Sequence, residues 1–157
     1  MKIEKFALHN NRQQSVIASD LLKWQDPNNH PSGIFGPVVK YSWSCEGQSF
    51  LVDAKGFWSL LPDSQGFICF EQNWQPNNCT LRDAHGQEYK RLEVPWQMVG
   101  ITNLESTTFG GVESPYVNPA TGQIGSYGVS CWINQAKFYL ELDFQTGEFL
   151  WCKPIRD

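Results

Sequence analysis

Positive charge is scarce in this chain. Across 157 residues, 12 Lys and Arg face 16 Asp and Glu, giving a net charge of −4 and a pI near 5.3. Phosphate backbones are gripped by clustered Lys and Arg, so nucleic acid is not an expected partner and a basic one is. Chemical motifs are missing as well. The sequence has no Cys-x-x-Cys, no glycine-rich phosphate cradle and no Gly-x-Ser-x-Gly elbow, which removes the usual signatures of redox, nucleotide and acyl-transfer sites. Long apolar runs are absent too. The longest stretch without charge, between Glu113 and Lys137, is broken by Pro115, Pro119, Gly122, Gly125 and Gly128, so no membrane span is expected. Met1-Lys2-Ile3-Glu4-Lys5 meets charge where a signal core would be apolar, and a cytoplasmic location is the expectation.

The groups that do carry chemistry are scattered. His9, His30 and His85 are each isolated from other ligand types at metal-site spacing, and read as solvated loop or turn residues. A pairing of Cys79 with His85 lacks a third, orienting group. The cysteines (Cys45, Cys69, Cys79, Cys131 and Cys152) are odd in number with no close pair, as expected of small apolar or surface thiols in a reducing compartment. Asn78-Cys79-Thr80 spells a glycosylation tripeptide, set aside because nothing indicates a secretory route. Asp53, Asp63 and Asp83 sit in turn-like contexts without the alternating acids and terminal Glu of a calcium loop. No cofactor, metal or catalytic residue is expected.

What the chain has in abundance is aromatic side chains: seven Trp, ten Phe and five Tyr. Wide flat rings suit pleated strands, and the turn grammar agrees. Leu51-Val52-Asp53-Ala54-Lys55-Gly56-Phe57-Trp58 and the phrases around Asp83-Ala84-His85-Gly86 and Asp143-Phe144-Gln145-Thr146-Gly147 each set an Asp, then a Gly, between alternating runs. Asp bonds its own backbone two residues on and Gly accepts positive φ, so each phrase predicts a hairpin. A segment from Phe6 to about Trp24 holds the one helical pattern, with Ser15 to Ser19 equally able to begin a strand. Asp26 to Gly33 is a loop, Pro95 ends a strand, and Gly100 to Gly128 is the longest stretch without a firm element, of the kind kept for function.

The expected fold is mainly β: one domain over residues 1–157, built as a single antiparallel meander forming a strongly curved sheet or barrel-like body, with room for one short N-terminal helix. A propeller blade needs about 40–45 residues, leaving three or four blades here, at or below the number that closes. A core this size cannot fully bury seven Trp, so some should line a contact face. Trp74, among amides in Gln72-Asn73-Trp74-Gln75-Pro76, is the best candidate, with a ring folded back over the sheet as its other reading, and Trp96 is a further candidate.

Asn78 to Pro95 and Phe138 to Trp151 resemble hairpins of small uncharacterised bacterial proteins, some of them immunity proteins of contact-dependent or polymorphic toxin systems. The second stretch also resembles the Asp-x-x-Thr-Gly-x-x-x-Trp turn of quinoprotein propeller blades, in one copy. Negative charge, expected cytoplasmic location, aromatic surplus and missing catalytic motifs, together with the first resemblance, give the expectation of a non-enzymatic immunity-type inhibitor, monomeric when free, that binds and neutralises a basic toxin domain. On that expectation Trp74 and Trp96 are anchors, and Glu71, Asp83, Glu88, Glu105 and Glu113 are rim charges. The alternative from another class is a small carbohydrate-binding or carbohydrate-active β protein, with Trp74 or Trp96 as stacking platforms and Glu141 and Asp143 as acids on one strand face.

Overall fold

The computed structural model describes residues 1–26, 28, 34–72, 75–100 and 107–155. Its strands form three antiparallel four-stranded sheets. The first holds β1 (Ile3–Asn10), β2 (Ser15–Ile17), β3 (Val38–Cys45) and β4 (Gln48–Asp53) in the order β2-β1-β3-β4. The second is a meander of β5 (Gly56–Leu60), β6 (Gly66–Glu71), β7 (Cys79–Asp83) and β8 (Glu88–Leu92). The third is another meander, β9 (Thr107–Glu113), β10 (Gly128–Ile133), β11 (Ala136–Asp143) and β12 (Glu148–Ile155). A three-residue 3-10 helix (Ala18–Asp20) and two four-residue helices complete the described elements: α1 (Leu21–Trp24), directly after it, and α2 (Trp96–Val99) after β8. None of these helices is long and apolar enough to cross a membrane.

The mainly β, antiparallel expectation holds, and the short N-terminal helix is present as α1. The meander is divided among three sheets, none of them closed into a barrel. The second sheet lies between the other two because its residues alternate between two cores. Trp58, Phe67, Cys69 and Ala84 pack with Phe6, Tyr41 and Trp43 of the first sheet. Ile68, Phe70, Cys79, Leu81 and Leu92 pack with Phe109, Val129, Cys131, Leu140 and Leu142 of the third. Strand β6 reads Gly-Phe-Ile-Cys-Phe-Glu and is buried from Gly66 through Phe70, since a strand covered on both faces has no polar side. Each such side chain withdrawn from water contributes roughly 1.5–3 kcal/mol.

Two of the three Asp-Gly phrases are hairpins. Asp83 Oδ1 accepts the N–H groups of His85 and Gln87, and Asp143 Oδ1 those of Gln145 and Thr146, joining β7 to β8 and β11 to β12. Gly86, at φ 81°, lies so close under Trp43 that an added Cβ would stand 3.1 Å from the indole. The first phrase corrects the expectation: β4 pairs only with β3, and β5 only with β6, so Asp53-Ala54-Lys55 carries the chain from one sheet to the next. The Ala54 N–H bonds Val39 C=O, prolonging the first sheet, and Gly56 then passes against the Phe70 carbonyl where no side chain fits. The Phe6-to-Trp24 segment begins in β1, passes through β2 and becomes helical only from Ala18, and the stretch after Gly100 contains β9, whose paired glycines sit at a bulge on a sheet edge.

The sheets are tied to each other by side chains that bond backbone. Tyr41 Oη accepts the Trp58 N–H at 3.3 Å and lies 3.5 Å from Gly56 C=O, occupying part of the open edge of β5. Asn78 does the same for β9: its Oδ1 accepts the Phe109 N–H at 2.7 Å, and its Nδ2 donates to Phe109 C=O and Glu71 C=O. Side-chain plugs of this kind satisfy edge groups that would otherwise recruit another strand. Cys45, Cys69, Cys79 and Cys131 are buried and unbridged, and Cys152 is half-buried.

Candidate partner-binding face

The first sheet covers only part of the second. Beyond it, the face of β6, β7 and β8 that carries Phe67 and Cys69 becomes polar. Register places Cys69 beside Thr80, Thr80 beside Arg91 and Arg82 beside Glu88, so the charged side chains stand in adjacent rows. Arg91 holds Glu71 by two bonds, 2.6 and 3.3 Å, and reaches Glu88 at 3.2 Å. The end-on fork, Nη1 and Nη2 each donating to one carboxylate oxygen, is a strong form of an Arg–carboxylate pair, and it keeps the Glu71 carboxyl below its usual range. Arg82 lies over Trp58, 5.0 Å from the ring, and donates to Gly86 C=O at 3.0 Å. A cavity of about 400 Å³ opens here, walled by Asp53, Lys55, Trp58, Cys69, Glu71, Gln72 and Arg82. Burial pushes the Cys69 thiol up to about 12 against the pull of Arg82, so the sulfur stays protonated and is no nucleophile.

At one end of this sheet Tyr89 stands 53% exposed, and burial of its lower edge together with Asp63 and Asp83 raises its phenol. An apolar groove of about 430 Å³ lies on the far side of the sheet, between the β5 and β9 edges, with Phe57, Phe70, Phe109 and Trp132 in its walls.

Of the residues singled out from sequence, Glu71 and Glu88 are brought together on Arg91. Asp83 is a few residues from them, its carboxylate spent on its own turn. Glu113 is on the third sheet, paired with Lys137 at 3.4 Å. Trp96 lies in α2, half-buried against the core between the second and third sheets. Trp74 and Glu105 lie outside the described residues. The acids of the carbohydrate reading are both engaged: Glu141 is buried and accepts the Trp151 indole N–H at 3.1 Å, and Asp143 caps its hairpin. His85 lies against Phe50 at the surface, and His9 bonds Ser42 at 2.7 Å. Among the described residues, no three His, Cys, Asp or Glu gather as metal ligands would. Sequence reasoning passed over Arg82, Arg91 and Trp58. A basic residue on alternate positions of successive strands, Arg82 and Arg91 among them, was the available signal.

Fold and face together describe an all-β protein of three stacked sheets with a charged, partly open middle layer. No family model matches the chain and no curated protein is significantly similar to it. Among solved structures, it is similar to a chain from the structure of Tne2 in complex with Tni2, at a TM-score of 0.67 and 17% identity, over 98% of this chain and 99% of that one. The likeness establishes a shared fold.

Proposed function

We propose that this protein is a non-enzymatic binding protein of the immunity type, which neutralises a basic toxin domain in the cytoplasm by occupying its surface. The observation that carries the reading is the end-to-end similarity to a chain solved in a complex of two proteins. Two features of the molecule support it. The net charge of −4 favours fast encounter with a cationic partner, and Glu71 and Glu88 are already gathered on Arg91 by hydrogen bonds in the free protein. Tyr89, exposed between Asp63 and Asp83, is suited to receive a Lys or Arg of the partner.

The test is co-expression with the product of the adjacent gene, scored by growth and by isothermal titration of the two purified proteins. Protection together with a one-to-one complex whose association slows with added salt is the expected result. A protein that neither protects nor binds is not an immunity protein.

A further inference from the structure

The free edge of β5 is only half plugged. Leu61 N–H bonds Gly66 C=O across the hairpin, so Phe57 and Ser59 turn their backbone groups toward β6, and those of Gly56, Trp58 and Leu60 point outward. Tyr41 Oη fills the part between Gly56 C=O and Trp58 N–H. Beyond it, Trp58 C=O and the N–H and C=O of Leu60 bond nothing among the described residues. Such a row is matched in spacing and direction by another extended backbone.

Both flanks of this edge are apolar. Toward the first sheet, a groove of about 500 Å³ runs between β5 and the corner where β1, β2 and α1 meet, with Ile3, Phe6, Leu8, Ile17, Leu21 and Leu60 in its wall. Toward the third sheet lies the groove of about 430 Å³ that ends at β9, and the half-exposed Phe57 stands in the wall of both. A strand laid along the edge sends successive side chains to opposite faces, so the two grooves receive alternate positions of it.

The first groove has one charged side chain in its wall, Lys5. Glu4 pairs with Ser44 and Ala7 with Ser42, so Lys5 and Phe6 together stand opposite Trp43, a bulge in which Lys5 takes φ 56°. A bulge re-aims a side chain, and this one brings the ammonium group to the same groove as the Phe6 ring, where plain alternation would part them. Lys5 makes no ion pair among the described residues. In a chain of net charge −4, an unmatched cation beside an apolar groove calls for a carboxylate on the incoming segment.

We propose that the protein partner adds a strand to β5 from Trp58 to Leu60, with alternating apolar side chains in the two grooves and an Asp or Glu against Lys5. The inference rests on the protein-binding reading above and names where the partner's chain is held. An apolar small molecule leaves the edge groups of Leu60 unmet. A second copy paired edge to edge offers Gly-Phe-Trp-Ser-Leu, which holds no acid for Lys5.

The experiment titrates the full-length, ¹⁵N-labelled protein with a capped Thr-Val-Asp-Val-Thr-Val peptide, with its Lys-for-Asp counterpart and with decanoate, following the Leu60 amide by chemical shift and hydrogen exchange. The Asp peptide should give a saturable shift with a Kd on the order of millimolar, slow exchange at Leu60, and bind several-fold tighter than the Lys peptide. Lys5→Glu should invert that preference. Leu60→Pro removes the outward N–H at a position where an edge strand accepts proline, and should abolish binding; if it does not fold, the charge inversion decides. No saturable shift with either peptide, a preference unmoved by Lys5→Glu, a shift with decanoate alone, or Leu60 protection that grows with protein concentration before any ligand is added overturns the proposal. Peptide binding by a protein that ignores the adjacent gene's product leaves the strand site standing without the toxin reading, and protection from that product with no response to either peptide does the reverse.

Discussion

Replacing Asn78 with Ala should be among the most damaging single changes in the protein, although it removes only a few atoms. The amide makes three bonds at once: to Glu71 C=O at 2.9 Å, to Phe109 C=O at 3.1 Å and from Phe109 N–H at 2.7 Å. Phe109 is 2% exposed, so water cannot replace the lost partner at its N–H or C=O. The N–H left unmade costs roughly 1–3 kcal/mol, and the C=O, which keeps only Thr108 Oγ1 at 3.4 Å, adds up to as much again, for about 1–6 kcal/mol. A protein with roughly 5–15 kcal/mol in hand gives up a large share of its stability. At about 2–4 °C per kcal/mol for a chain of this size, the midpoint should fall by roughly 2–24 °C. Asn78→Asp should do no better, because it keeps the acceptor for Phe109 N–H but loses both donors and buries a charge. Urea unfolding followed by circular dichroism is the assay, with a lowered midpoint and an unchanged slope expected. A loss below about 0.5 kcal/mol in Asn78→Ala would show that the second and third sheets are held by their apolar core alone.

The tie between the first and second sheets makes a smaller prediction: Tyr41→Phe, which leaves Trp58 N–H without its acceptor in a buried position, should cost about 1–2 kcal/mol in the same assay, and an unchanged urea midpoint would count against the edge-plug role. Stability should also be lost in alkali. Burial raises Cys69 and Cys131 from 9.0 to about 12 and Tyr127 from 10.0 to about 12, so the unfolded chain gives up these protons first. Their contribution is whole below about pH 9 and drains away between there and about pH 12, at about 1.4 kcal/mol per pH unit for each group titrating only in the unfolded state. Denaturation midpoints that stay level across that window would refute it.

Local features were legible in the sequence wherever a residue acts on its own neighbours. Asp83 and Asp143 bond N–H groups two to four positions ahead, and both hairpins were expected. The same grammar misled at Asp53, because the destination of the strand after it is set by Gly56 fitting against Phe70, a contact between segments that no local pattern records. Strand β9 was hidden for a similar reason. Gly110-Gly111 looks like a breaker, yet a bulge on an edge clamped by Asn78 tolerates it. Asn78 itself was dismissed as a chance glycosylation motif, and its worth lies in a residue 31 positions away. On the charged face, acids were picked for their sign alone. That Glu71 and Glu88 converge on Arg91 depends on strand register, which the hairpin at Asp83 implied but did not fix.

Strand β6 constrains how this chain can diverge. Phe67 looks into one core and Ile68 into the other, both fully buried, so a change at either is felt by a different outer layer and neighbouring positions cannot compensate for one another. Drift is therefore steered to the rims, where β2, β4 and β8 each have one free flank. A lineage built on this plan can rewrite its exterior while its midline stays nearly frozen.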